Sequence, residues 1–159
     1  MMSDNLSVTH FTFRKLTVDE FESAMYLSLH VFVTCNSSDF DEEGLTNFKR
    51  FIYTHAYTRE LTIYGAYKQD MLVGVLAVKN AGTHISLFFT DPEFQGLGIG
   101  KALFSLLLKD QHPETITVHS SIYAEAVYEK LGFSAVSKAV VKDGLRFVPM
   151  RRDRDLEVV

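Results

Sequence analysis

Three glycines at alternate positions, Gly96, Gly98 and Gly100, stand between a strand-like run, His84 to Thr90, and the helical stretch that carries Leu103, Leu106 and Leu107. Glycine reaches positive φ without strain and leaves no side chain between its backbone amides and a neighbour. A helix that begins there presents unpaired N–H groups and a partial positive charge, so the turn suits an anion. A plain strand-to-helix connection would use the same residues, and the surrounding spacing has to decide. A Walker A loop ending at Gly100-Lys101 would need glycine at position 95 and Ser or Thr at 102, where the chain has Gln95 and Ala102. The dinucleotide fingerprint fails as well, because its third glycine would fall on Lys101 or Leu103.

The periodicity on either side predicts alternating strands and helices. His10 to Leu16 alternates as a first strand. Thr17-Val18-Asp19-Glu20 has the form of a capping box. A helix follows, with Phe21, Ala24, Met25, Leu29 and Phe32 on one face. A second helical stretch runs from Ser38 towards Tyr57, with Asp39, Asp41, Glu42 and Glu43 at its start, where a helix favours negative charge. Leu61 to Tyr67 and Met71 to Val78 read as a hairpin, and His84 to Thr90 as the next strand of that meander. Asp91-Pro92 breaks it, and a helix runs from Gly98 to Asp110. Thr115 to Val118 is a short buried strand, and Ile122 to Leu131 a helix stopped by Gly132. Ala135 to Val141 and Leu145 to Met150 pair through Asp143-Gly144, and Arg151 to Val159 reads as a polar tail.

At 159 residues with no linker, repeat or low-complexity segment, the chain fits one domain spanning 1–159. A net charge of −4 argues against nucleic acid, which requires a basic face. The only cysteine, Cys35, gives no disulfide framework and no Cys-based zinc site, so no metal is expected. No basic-then-apolar stretch marks Met1 to Asn5 as a signal peptide, and the longest apolar run, near Leu103 to Leu108, is too short for a bilayer. A cytoplasmic protein without membrane contact is the expectation.

Two motifs together resemble the GCN5-related N-acetyltransferase (GNAT) family. The first is Gln95-Gly96-Leu97-Gly98-Ile99-Gly100, matching Gln or Arg-x-x-Gly-x-Gly or Ala; the second is the segment Ala124 to Phe133, similar to A-x-x-x-Y-x-K-x-G-F. The resemblance covers most of the chain. It implies an α/β fold of α+β type: a central mixed, mostly antiparallel, splayed sheet of about six to seven strands flanked by four helices. It implies acetyl-CoA as cosubstrate, with Gln95, Gly96, Leu97, Gly98, Ile99, Gly100, Lys101 and Ala102 at its pyrophosphate. Lys101 would add charge to a CoA phosphate or be a solvated helix residue. Phe88, Phe89 and Thr90 would contact the pantetheine arm, in a gap where their strand parts from Thr115 to Val118. At Ser121 many members carry Asn, so this contact keeps a hydroxyl but loses the amide fork.

Acetyl transfer needs a neutral amine, a stabilised oxyanion and a proton for the leaving sulfur. The resemblance puts Tyr128 in the donor position; the plain alternative is a half-buried helix aromatic. Backbone amides near Phe89 are candidates for the oxyanion. His84 lies where histone-type members carry a catalytic Glu and is the candidate base, unless it is a surface residue; His119 is weaker. The acidic cluster would either attract a cationic acceptor or serve as helix N-terminal charge, with Glu43-Gly44 the first pair to inspect. The function implied is transfer of acetyl to a primary amine of a small molecule or peptide by direct attack in a ternary complex. A non-catalytic acetyl-CoA sensor is the alternative, and the C-terminal hairpin offers an edge through which two copies could pair as a homodimer.

Overall fold

The computed structural model describes residues 8–154, so the reading of Met1 to Asn5 and the tail beyond Arg154 lie outside the described residues. Four strands build an antiparallel meander: β1 (Thr12–Lys15), β2 (Thr62–Lys68), β3 (Met71–Lys79) and β4 (His84–Thr90). β4 then pairs in parallel with β5 (Thr115–Ser120), which continues antiparallel into β8 (Leu145–Asp153). Two short strands, β6 (Ser134–Ala135) and β7 (Val140–Lys142), also pair with β8. The sheet is therefore mixed and mostly antiparallel, as expected, with eight strands among the described residues. The excess over six to seven comes from splitting the segment after Gly132 into β6 and β7.

The α-helices are α1 (Phe21–Cys35), α2 (Glu42–Tyr53), α3 (His55–Thr58), α4 (Ile99–Gln111) and α5 (Glu125–Lys130). Each face of the sheet is covered by its own core. Tyr64, Val73, Leu76 and Ile116 meet Leu103, Phe104 and Leu107 of α4 on one side. Ile63, Val75, Ala77 and Leu87 meet Ala24, Met25 and Val31 of α1 on the other. This two-sided burial is why β2 and β3 read as continuous apolar runs rather than alternating ones.

Local chemistry sets the element ends. The amide of Thr17 donates to the Glu20 carboxylate at 2.9 Å, closing the capping box over a 3₁₀ turn that leads into α1. The expected second helix is interrupted twice. Residues Ser37–Asp39 form a 3₁₀ turn, Asp41 caps α2 by accepting from the Gly44 amide at 2.9 Å, and extended Thr54 separates α2 from α3. α5 begins at Glu125, three residues late, because Ser121 to Ala124 close a turn of their own. Its end follows expectation: Gly132 at φ 98° lets the Phe133 amide reach the Tyr128 carbonyl at 3.0 Å.

The polar tail expected from Arg151 is instead the end of β8, paired with β5 through Asp153. Arg152 lays its guanidinium over Phe104 and donates to the Leu131 carbonyl at 2.9 Å, so a charged residue caps the core here.

The β7–β8 hairpin turns at Asp143 (φ 54°) and Gly144 (φ 78°), the two positive φ values of a type I′ turn. Its tip lies against the start of α2. Asp41 donates its amide to the Gly144 carbonyl at 3.1 Å, and Asn47 donates its side-chain amide to the Asp143 carbonyl at 3.0 Å. A Cβ on Gly144 would run into the Asp41 carboxylate and the Gly44 backbone. Gly144→Ala combines that clash with a left-handed backbone and should cost about 2 kcal/mol or more in urea unfolding. A loss below about 0.5 kcal/mol, the usual range for neutral surface changes, would show that the hairpin tip does not hold α2.

Candidate functional site

The site begins with a failure of strand pairing. β4 and β5 pair only at His84↔Thr117 and Ile85↔Val118. Beyond them β5 follows β8, while Ser86 to Thr90 keep only β3 as a neighbour, so the strands part as the GNAT resemblance implied. Alternate backbone groups of Ser86 to Thr90 therefore face a gap rather than a strand. A register shift in the β3–β4 pairing contributes: Ile85 opposes Val78 and Leu87 opposes Ala77, which leaves Ser86 as an extra residue. The shift also redistributes side chains. Ile85 and Phe88 join the core under α4, whereas Leu87 and Phe89 join the core under α1.

The glycine loop opens at the same end of β4. Gln95 donates its side-chain amide to the Thr90 carbonyl at 3.1 Å, and Phe94 is buried edge-on to Phe11. Gly96 (φ 80°) and Gly98 (φ 87°) are both left-handed, and a Cβ at either would meet nothing within 4 Å. Their strain, not crowding, is what requires glycine. Gly98 caps α4, whose first bond outside the helix proper runs from the Ala102 amide to the Gly98 carbonyl at 3.0 Å. The amides from Gly96 to Lys101 find no acceptor among the described residues. They form a nest of donors on the positive end of a 13-residue helix, the geometry that binds phosphate oxygens. Lys101 is exposed beside it, Ala102 half-buried, and the Phe88 ring lies 3.6 Å from where a Gly100 Cβ would be, which joins the nest to the gap.

The gap continues into a cleft of about 380 Å³. It is lined by Phe88, Ser121 and Tyr128, by Phe32, Phe48 and Phe51, and by His84 and His119. Tyr128 is 6% exposed and packs edge-on to Phe88 and Phe133. Its hydroxyl has no hydrogen-bond partner among the described residues, and burial pushes its pKa up, so it stays protonated through the neutral range. Ser121 accepts the Ala124 amide on its hydroxyl at 3.1 Å, so that oxygen is already engaged at the start of α5.

His84 is half-buried at the point where the strands still pair. Its Nδ1 is 2.7 Å from the Thr117 hydroxyl, and the His119 ring lies 5.2 Å away. Burial, and then the charges of His119 and Lys79, lower its pKa to about 4. His84 is thus a neutral imidazole at pH 7 and a weaker base than an ordinary histidine. The acidic cluster separates: Asp41 is the α2 cap, Glu42 and Glu43 are exposed, and Gly44 lies under the hairpin tip. Among those four carboxylates, Asp39 lines the cleft. Sequence reasoning placed it in the cluster without distinguishing it, and also missed the Ser86 shift and the phenylalanine wall.

The family model for the Acetyltransferase (GNAT) domain matches residues 36–154. No curated protein matches the chain. Among solved structures, a GCN5-related N-acetyltransferase from Rhodopseudomonas palustris is similar at 20% identity and a TM-score of 0.75, over 89% of this chain and 94% of that one. The PaiA N-acetyltransferase of Thermoplasma acidophilum, solved in complex with coenzyme A, is similar at 18% identity and a TM-score of 0.68, over 90% and 98%. The apo form of YjaB from Escherichia coli is similar at 20% identity and a TM-score of 0.68, over 89% and 96%. At these identities the likeness establishes the fold.

The burial of His84 has a consequence for stability. Its folded pKa of about 4 lies below the ordinary imidazole value of 6.5, so the unfolded chain binds the proton more readily between those values. Stability is then lost as pH falls through that window. His84→Gln should flatten the fall in Tm between pH 6.5 and 4.5, leaving a remainder to which His119, also shifted down, contributes. A fall as steep as that of the parent protein would mean that His84 is solvated.

Proposed function

The chain belongs to the GNAT acetyltransferase family, and on that premise we propose that it transfers the acetyl group of acetyl-CoA to a primary amine by direct attack in a ternary complex. The observation that carries this reading is the coincidence of two unsatisfied backbone surfaces at one end of β4: the amide nest of Gly96 to Lys101 and the free edge of Ser86 to Thr90. The nest suits a pyrophosphate. The free edge suits an extended arm that pairs with main-chain groups, as an added strand would. Together they direct a thioester towards Phe88 and Tyr128.

Acetyl-CoA supplies the acyl group in activated form, and the amine nitrogen displaces sulfur from the carbonyl carbon. The residues of this chain handle charge and protons. Amides on the free edge near Phe89 are the candidates to stabilise the carbonyl oxygen as it becomes negative. The Tyr128 hydroxyl has no partner of its own and is available to the departing sulfur. Burial makes full proton release from this phenol uphill, so Tyr128 donates as the proton from the amine replaces its own. His84 is too weakly basic to deprotonate a free ammonium efficiently. It can take the proton once formation of the C–N bond has acidified the nitrogen, and hand it on towards Tyr128 or solvent. A cytoplasmic location, with its acetyl-CoA supply, goes with this reading; no helix among the described residues is long and apolar enough to cross a membrane.

A non-catalytic acetyl-CoA sensor would need the nest and the free edge but not an unpartnered phenol in the cleft. The test is release of free thiol from acetyl-CoA in the presence of a panel of primary amines. Amine-dependent release supports the enzyme; tight CoA binding with no release across the panel supports the sensor. Tyr128→Phe should lower kcat by about 10- to 100-fold, the range for loss of one general acid, with the KM for acetyl-CoA nearly unchanged. Unaltered turnover would remove Tyr128 from the mechanism.

A further inference from the structure

Asp39 sits in the 3₁₀ turn that follows α1, held by its own amide, which donates to the Asn36 carbonyl at 2.9 Å. The next residue fixes the turn further: Phe40 bridges to Leu145 of β8 and stacks on Phe32 with ring centroids 4.6 Å apart. The Asp39 side chain therefore has a defined place in the wall of the cleft, and it is 5% exposed. One of its carboxylate oxygens, Oδ2, is buried with no hydrogen-bond partner, the only such side-chain atom among the described residues. The neighbouring groups do not account for it. The Ile122 amide and the Arg146 guanidinium lie near enough to favour its charge, yet Arg146 forms no ion pair with it among the described residues and is itself exposed. Nor is Asp39 a helix cap, a role that Asp41 fills two residues later.

A buried carboxylate oxygen without a partner is destabilising unless something else supplies a cation or donors. The cleft limits what that can be. Among the described residues Asp39 is the one acidic residue lining it, and Lys79 and Arg146 also line it, so a polycation would meet repulsion along its length. Much of the remaining lining is aromatic: Phe32 and Phe48 stack at 3.9 Å, Phe89 stands edge-on to both, and Phe51 also lines the cleft. That surface favours an apolar or aromatic body next to a single ammonium.

We propose that Asp39 binds the ammonium group of the acceptor, and that the acceptor is a primary amine carried on an aromatic or bulky apolar body rather than a polyamine. This rests on the acetyl-transfer reading and specifies its substrate class. Desolvation raises the Asp39 pKa, so the carboxylate can take one proton from the docked ammonium; the nitrogen then attacks as a neutral amine while the carboxylic acid stays beside it.

The test uses the full chain with saturating acetyl-CoA, 2-phenylethylamine and spermidine as acceptors, and Asp39→Asn as the variant. Asp39→Asn should raise the KM for 2-phenylethylamine by about 30-fold or more, the scale for losing one partner of a desolvated charge pair, with the KM for acetyl-CoA unchanged. Its Tm should equal or exceed that of the parent protein, because an uncompensated buried charge has been removed. The parent protein should prefer 2-phenylethylamine to spermidine in kcat/KM. A threefold or smaller change in amine KM, a preference for spermidine, or a marked fall in Tm would each overturn the assignment, the last by making Asp39 a structural anchor. If the variant does not fold, the parent protein still decides: 2-phenylethanol should compete at least about 30-fold more weakly than the amine binds, by the same charge-pair scale, and equal potency would overturn the proposal. Acetyl transfer that is indifferent to Asp39 sinks this inference alone, whereas no transfer to any amine sinks it together with the reading on which it rests.

Discussion

Backbone amides cannot be left without acceptors cheaply, and a continuous run of them, Gly96 to Lys101, finds none among the described residues. Gly96 and Gly98 turn the chain through left-handed conformations, so the amides leading into α4 point outwards rather than back onto β4. The far end of α4 is tied down: the Tyr64 hydroxyl donates to Asp110 at 2.7 Å, Gln111 donates to that hydroxyl at 2.8 Å, and Lys15 pairs with Asp110 at 2.9 Å. With its C-terminal turn fixed to β1 and β2, the helix holds its N-terminus against the open end of β4. The glycine loop and the parted strands share one support.

The cleft that follows is assembled from elements far apart in the chain. Ser86 displaces the register of β4, the β7–β8 hairpin braces the start of α2, and the Phe40–Leu145 bridge turns Asp39 inwards. The cleft also holds three polar groups where burial is costly: the Tyr128 phenol, the half-buried His84 imidazole and the Asp39 carboxylate. Groups of this kind are tolerated where a ligand completes them.

Local signals were legible where the chain's own neighbours decide the conformation. The limits of β4 follow from His84 to Thr90 as read, the Asp143-Gly144 turn takes the φ values that its residue types demand, and Gly132 ends α5. The glycine spacing and the Tyr128 segment pointed to the family that the chain belongs to. What could not be read depends on contacts between distant segments. The Ser86 displacement arises only when β4 meets β3. The burial of Asp39, against the exposure of Glu42 and Glu43, depends on a bridge across more than a hundred residues. Arg151 to Asp153 looked like a tail because their charges hide a strand whose Arg152 spends its stem and guanidinium on Phe104 and Leu131.

On the reading proposed above, the amides of Gly96 to Lys101 hold a diphosphate at the N-terminus of α4. This is tested most directly by following backbone amide resonances of the folded protein as CoA is added. Saturable downfield shifts should concentrate at Gly96, Gly98 and Gly100, with smaller changes along Ser86 to Thr90. CoA binding that leaves those glycine amides where they were, or no binding at all, would contradict it.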